Sequence, residues 1–479
     1  MDIGKAFVPG ARVYFIGIKG TGMCALAELL AHSGVFISGS DRDEVFYTDG
    51  ILQDLGIPYH ESFSPEHIPP GIDLVVYSAA YSFDTNPEMA EARNRGIPML
   101  KYSDALGAYS VGFDASGIAG VHGKTTTTAL AGTMIRSLAL PAQVLAGSAV
   151  SAFGGHSTLK LGNKYFVAET CEYRKHFLAF HPRRVVLTSV EGDHQDFYPT
   201  YGSIRDAFIE YVRLLPLGGE LIYCADDPGA REVAERIARE ERGIALIPYG
   251  FTAPGDFGIS ALQVAGERLR MKVRCFPGEL RLRIPGRHSA LDATAALALV
   301  DSLVKNEGGW TEEKQEKFRS GLEDFRGSRR RSEIVGEYGG ILFMDDYGHH
   351  PTAIRTTLEG LKEFYPHRRL VVSFMSHTYT RTASLLDEFA ASLEKADMVI
   401  LHKIYASARE SYQGGVTGRT LFEKTQSLRD GVYYMDEPED AMEMLKQILK
   451  SGDLFLTLGA GDNWKLGKAL ADYYAGRVR

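Results

Sequence analysis

Residues 114–128 read DASGIAGVHGKTTTT, and the organisation of the chain unfolds outward from them. A strand runs to Ala119 and hands over to a loop, Gly120, Val121, His122, Gly123, Lys124 and Thr125, after which a helix continues from Thr125. Strand, glycine-bounded loop and helix in direct succession open an α/β unit. Small residues let amide hydrogens converge on phosphate oxygens. Lys124 can neutralise a γ-phosphate, and the Thr125 hydroxyl, with Thr126 beside it, can face magnesium. The strict Walker spacing wants a glycine five positions before Gly123, where Ile118 stands, so the pattern is GxxGKT.

Upstream, RVYFIGI at 12–18 reads as a buried strand, MCALAELLAHSG as a helix and VFISGSD as a second strand ending at Asp41. LVVYSAA at 74–80 and IPML at 97–100 add strands, which makes residues 1–107 an open α/β domain. Residues 108–326 form the central module. It holds strands at 164–169, 184–190 and 220–227, an antiparallel excursion at about 250–287, and a helix at 288–304. Residues 327–479 repeat the α/β unit, with strands at 340–347, 369–375, 397–405 and 453–461 and a helix at 358–365. Ligands of such sheets lie beyond the strands' carboxyl ends, which is where the polar residues cluster.

Composition sets the class. A length of 479 residues predicts two to four domains. The 51 glycines exceed the usual roughly 7%, as expected of many tight turns and close approaches to ligands. A net charge of −8 argues against nucleic acid as a partner. Cys24, Cys171, Cys224 and Cys275 form no CxxC pair, and no basic leader or 18-residue apolar run is present, so a cytoplasmic protein with reduced thiols and no membrane partner is expected.

Further candidates lie at strand ends. In GIKGTGM, Gly17, Gly20 and Gly22 depart from the GxGxxG order. Backbone amides at the Thr21–Met23 helix start can instead hold a diphosphate, with Asp41 taking a ribose or sugar hydroxyl and Ser78 and Asn86 nearby. Glu169, Glu172, Glu191, Asp193, His194 and Asp196 offer oxygen and imidazole donors suited to magnesium beside a nucleotide. Arg329–Arg331 can clamp phosphate, Asp345, Asp346, Tyr347, His349 and His350 share one loop, and Arg381 suits a carboxylate or phosphate.

Together, GIKGTGM, SGSD at 38–41, GVHGKTTTT, AETCE at 168–172, EGDHQD at 191–196, PGRHSALDATAA at 285–296, GSRRR at 327–331, DDYGHHPT at 345–352, SHTYTRT at 376–382 and GAGDNWKLG at 459–467 resemble the Mur ligase family of peptidoglycan synthesis, and its alanine-adding branch in particular. The resemblance implies a three-domain α/β fold. Its first domain is Rossmann-like and binds the UDP-sugar, its central domain is P-loop ATPase-like, and its last, also Rossmann-like, contributes to the amino-acid and nucleotide sites. It places Lys124, Glu172, His194, His350 and Arg381 in catalysis and Thr125, Glu172 and His194 at Mg²⁺. It assigns Gly120–Thr126, His288, Ser289, Arg330 and Asp346 to ATP. Gly17, Gly20–Met23, Ser40, Asp41, Ser78, Asn86, His350, Thr378 and Arg381 fall to substrate. Phe208 stands where several later members carry a carbamylated lysine. The implied reaction joins L-alanine to the carboxylate of UDP-N-acetylmuramate through an acyl phosphate. A recycling ligase that attaches a tripeptide and a nucleotide-regulated binding protein stay open as alternatives, as do monomer and homodimer.

Overall fold

The structure, a computed structural model, describes residues 7–195, 197–406, 412 and 414–477, so Asp196 lies outside the described residues. The chain divides into two compact units, one of residues 1–191, 201–258 and 294–321, the other of residues 192–200, 259–293 and 322–479. Among the described residues no helix is long and apolar enough to cross a membrane.

The first unit holds two parallel sheets. In the first, β1 (Arg12–Ile16), β2 (Phe36–Ser40), β3 (Tyr59–His60), β4 (Leu74–Tyr77) and β5 (Met99–Lys101) run in the order β3-β2-β1-β4-β5. The order reverses at β1, so the crevice beyond its carboxyl end is the switch point where ligands of such sheets bind. That is where GIKGTGM sits. Helix Tyr102–Ser110 then spans the expected 107/108 boundary.

The second sheet is built from β6 (Asp114–Ala119), β7 (Ala142–Leu145), β8 (Thr158–Lys160), β9 (Tyr165–Glu169), β10 (Arg184–Leu187), β11 (Glu220–Cys224) and β12 (Ala245–Gly250), in the order β12-β11-β10-β6-β9-β7-β8. Only the β7–β8 pairing is antiparallel. The apolar runs of β6, β9 and β10 are buried on both faces, as strands of a covered parallel sheet must be. Arg184 is buried at the start of β10, its charge met by Asp114 Oδ1 at 2.6 Å and Ser302 Oγ at 2.7 Å.

In the second unit the expected antiparallel excursion appears as Ile259 onward of β13 (Phe257–Val264) with β14 (Leu269–Val273) and β15 (Leu280–Leu282). A six-stranded sheet follows: β16 (Glu333–Tyr338), β17 (Ile341–Asp346), β18 (Arg369–Phe374), β19 (Met398–Leu401), β20 (Val432–Tyr434) and β21 (Asp453–Leu458), ordered β16-β17-β21-β18-β19-β20. β16 is antiparallel to β17, and its alternating, half-exposed residues left no apolar run to mark it in the sequence. The helix expected at 358–365 begins earlier, as Pro351–Phe364, because Pro351 suits a first helical position and His350 caps it.

Candidate active site

Gly123, at φ +80°, is the N-cap of helix Lys124–Ser137, which has no side-chain cap. Helix Thr21–Ala31 likewise follows an N-cap glycine, Gly20, without a side-chain cap. By contrast, helices Pro87–Asn94, Pro228–Ala238 and Gly418–Leu428 are capped by Asn86, Asp227 and Thr417. First-turn amides have no carbonyl of their own helix to bond. The two helix starts that the sequence assigns to phosphates are thus open to an anion, each at the carboxyl edge of a parallel sheet.

Segment Thr188–Glu191, after β10, braces the loop. Val121 N–H donates to the Ser189 carbonyl at 3.1 Å and His122 N–H to Ser189 Oγ at 2.9 Å. The Thr188 hydroxyl donates to the His122 carbonyl, and the His122 ring pairs with Glu191. Lys124 Nζ turns back onto the Gly120 carbonyl and reaches Glu172 Oε2 at 3.0 Å. Thr125 Oγ1 donates to Glu169 Oε2 at 2.8 Å. Burial alone would push the Lys124 ammonium down, yet Glu172, Cys171 and Glu169 together hold it above the ordinary lysine value. Lys124 therefore stays charged. Lys124, Thr125, Glu169 and Glu172 make one cluster of a fixed cation, a hydroxyl and two carboxylates, a donor set that fits a hard cation and phosphate oxygens. Thr126 is half-buried in the same first turn.

At the first sheet, Gly17 takes φ +88° and its N–H donates to the Ser40 carbonyl at 2.8 Å. Asp41 organises this loop, taking Lys19 N–H at 2.7 Å on one oxygen and the Tyr81 hydroxyl at 2.9 Å on the other. The Lys19 side chain points away into Glu61 at 2.7 Å and the Glu44 carbonyl at 3.0 Å, so it is a strut of the fold. Ser78 stands beside Gly17, where a Cβ would come within 2.9 Å of it. Ser40 and Asn86, expected at ligand, are engaged inside the fold. Ser40 donates to the buried carboxylate of Glu88, and Asn86 Oδ1 accepts from Glu88 N–H and Met89 N–H. Met23 is buried.

In the second unit, Arg381 is buried and bonds Asp193 Oδ1 through Nε at 3.2 Å and Nη2 at 2.7 Å, with Nη1 3.3 Å from His377 Nδ1. Burial opposes the Asp193 charge, but Arg381 overrides it and holds the carboxyl well below its usual range. Arg381 is thus part of an Asp193–Arg381–His377 assembly, which spacing along the sequence did not reveal. His194 stands next to Asp193, its N–H donating to Asp193 Oδ1 at 2.7 Å. His350 accepts from Thr352 N–H through Nδ1 at 3.4 Å. Arg330 pairs with Asp345 at 2.8 Å and the Gly459 carbonyl at 2.7 Å, whereas Asp346 accepts from Ser332 N–H at 2.6 Å and Gly348 N–H at 2.7 Å. His288 lies in the first turn of helix Arg287–Asn306, and the neighbouring Ser289 hydroxyl donates back to the Pro285 carbonyl at 2.6 Å. His194, Arg330 and Thr378 all hold positive φ, at +54°, +58° and +65°.

Phe208 is fully buried and meets Phe177 edge-on at 5.4 Å, so this position is aromatic core.

Three family models cover the chain: the Mur ligase family catalytic domain at residues 12–113, the Mur ligase middle domain at 118–300, and the Mur ligase glutamate ligase domain at 330–461. The chain is also 53% identical, over 98% of both sequences, to a UDP-N-acetylmuramate–L-alanine ligase of Treponema pallidum. The chain belongs to the Mur ligase family. A second Mur ligase of the same description, from Borrelia garinii, is 38% identical over 95% of this chain and 97% of its own. Among solved Mur ligase structures, the UDP-N-acetylmuramate-alanine ligase of Thermotoga maritima superposes with a TM-score of 0.78 at 26% identity, covering 97% of this chain and 99% of that one. A murein peptide ligase from Psychrobacter arcticus shares the fold, with a TM-score of 0.67 at 21% identity over 97% of this chain and 98% of that one.

Proposed function

We propose that this Mur ligase is an ATP-dependent acid–amino-acid ligase that joins L-alanine to the carboxylate of UDP-N-acetylmuramate, forming UDP-N-acetylmuramoyl-L-alanine, ADP and phosphate for peptidoglycan synthesis in the cytoplasm. The observation that carries the phosphoryl-transfer chemistry is the cluster of Lys124, Thr125, Glu169 and Glu172 at an uncapped helix start. The identity to alanine-adding relatives carries the choice of substrate.

The carboxylate of the sugar acid attacks the γ-phosphorus of ATP, and the acyl phosphate that results is taken by the neutral amine of alanine. The first step brings anions together, so fixed positive charge is its main requirement. Lys124, with the amides of Gly120–Thr126, supplies that charge. Thr125, Glu172 and His194 would hold Mg²⁺, which when bound neutralises phosphate oxygens. His288, Ser289, Arg330 and Asp346 are assigned to the nucleotide. His350, Thr378 and Arg381 are assigned to the sugar-acid carboxylate and the amino acid, with Arg381 oriented by Asp193. The amides at Gly20–Met23, with Gly17, Asp41 and Ser78, take the UDP-sugar. Residues 1–107, 108–326 and 327–479 are the corresponding functional domains.

The test is to supply Mg-ATP and UDP-N-acetylmuramate, add L-alanine, glycine, L-serine or tripeptide, and follow phosphate release and product mass. Alanine-dependent release with the mass of the alanyl adduct is expected. Turnover with tripeptide alone establishes the recycling ligase instead, and no turnover in any mixture favours a nucleotide-regulated binding protein. Lys124→Ala abolishes phosphate release, and ligation by that variant at the normal rate removes Lys124 from its assigned role.

A further inference from the structure

The first unit contains a cavity of about 150 Å³ whose wall includes Thr21, Gly22, Tyr102, Glu169, Thr170 and Cys171. It runs from the start of helix Thr21–Ala31 to the carboxyl end of β9, where Glu169 holds Thr125 and Glu172 holds Lys124. The space therefore reaches from the start of the diphosphate loop's helix to Glu169, which bonds Thr125 of the phosphoryl-transfer cluster. A substrate with a diphosphate at one end and a reacting carboxylate at the other has to cross such a space with its glycosyl part.

Tyr102, the first residue of helix Tyr102–Ser110, lines it. Its ring lies so close to the diphosphate loop that a Cβ on Gly22 would stand 2.6 Å from its hydroxyl oxygen. Tyr102 is half-buried, and its hydroxyl, reached by solvent through the cavity, can take a hydrogen-bond partner there. The Tyr102 hydroxyl has none among the described residues, and neither does that of Thr21 on the same wall. Burial, reinforced by the Glu169 and Cys171 side chains, pushes the Tyr102 phenol up, so it remains an O–H donor at every working pH.

We infer that Tyr102 is a substrate-binding residue whose hydroxyl donates a hydrogen bond to an oxygen of the N-acetylmuramoyl group as that group spans the cavity between Thr21 and Glu169. This rests on the function proposed above and names a contact that the glycine, phosphate and acidic motifs do not contain.

Tyr102→Phe keeps the ring and removes only the hydroxyl. One neutral hydrogen bond predicts a rise in KM for UDP-N-acetylmuramate of roughly 3- to 10-fold. KM for ATP and for L-alanine, and the Tm of the free protein, are expected to stay at wild-type values. Calorimetric titration separates a ligand contact from damage to the loop. The variant should lose affinity for UDP-N-acetylmuramate and bind UDP, which lacks the glycosyl group, as the wild type does. Unchanged KM, or equal weakening of UDP and UDP-N-acetylmuramate, overturns the inference while leaving the ligase activity in place. A wild-type chain that neither binds nor turns over UDP-N-acetylmuramate overturns the function and this inference together.

Discussion

At Gly120 the backbone turns through φ +138°, and a Cβ there would meet Thr188 Oγ1 at 2.1 Å and Ser189 N at 2.8 Å. An L side chain is excluded twice over, by its own conformation and by the segment that braces the loop. Gly120→Ala is therefore expected to displace the Lys124 loop and lower ATP-dependent phosphate release by about a hundredfold, the order of loss that a 1 Å misplacement causes. Single-turnover phosphate release measures it, and a variant within a few-fold of wild type shows that the bracing is dispensable. Lys124 and Thr125 were legible because their chemistry is local, set by a few neighbours in the chain. The Asp193–Arg381 pair was not legible, since its members stand 188 residues apart and only the folded chain brings them together. Ser40 and Asn86 show the reverse. Their residue types suit a sugar hydroxyl, but burial and nearby donors and acceptors turn both inward.

Among the elements, β18, β19 and β20 are tied by His402, just beyond the end of β19. Its ring nitrogens lie 2.9 Å from Ser373 Oγ and 2.9 Å from the Met435 carbonyl. Burial brings its pKa down to about 4, so the folded chain keeps it neutral while the unfolded chain protonates near pH 6.5. The folded pKa is the lower one. The stabilisation is therefore complete above about pH 6.5 and is lost as the pH falls toward 4, by on the order of 3 kcal/mol in all. Urea unfolding at pH 7.5, 6 and 5 should show that decline in the wild type and a flatter profile in His402→Asn. Equal slopes in both proteins exclude His402 as the source. Elements with long apolar runs, such as β10 and β21, were readable from pattern alone. β16 and β20 were not, because short, half-exposed edge strands owe their conformation to the partner that pairs with them.

On the scale of the whole molecule, the central sheet separates support from chemistry along its strands. Arg184 is locked to Asp114 and Ser302 at the amino ends of β6 and β10, while the Gly120 loop leaves the carboxyl end of β6, roughly 16 Å away at the usual strand rise. Arg184→Ala leaves Asp114 without its partner and is expected to cost about 3 kcal/mol in chemical unfolding, with the KM values for ATP, UDP-N-acetylmuramate and L-alanine unchanged. A shift in KM instead would mean that the two ends of the sheet are coupled. Hydrophobic period and residues adjacent in the chain were enough to read the α/β class, the recurrence of the strand–loop–helix unit, the family and the candidate phosphate loop. Folding is what brings Glu169 and Glu172 to Thr125 and Lys124, Asp193 to Arg381, and Tyr102 to the cavity beside Gly22. Those are relations between groups distant along the chain, and they come into being when separate strands and loops fold into one unit. The loop at Gly120–Thr125 names the chemistry, and the packing around it supplies the charges and the space in which that chemistry runs.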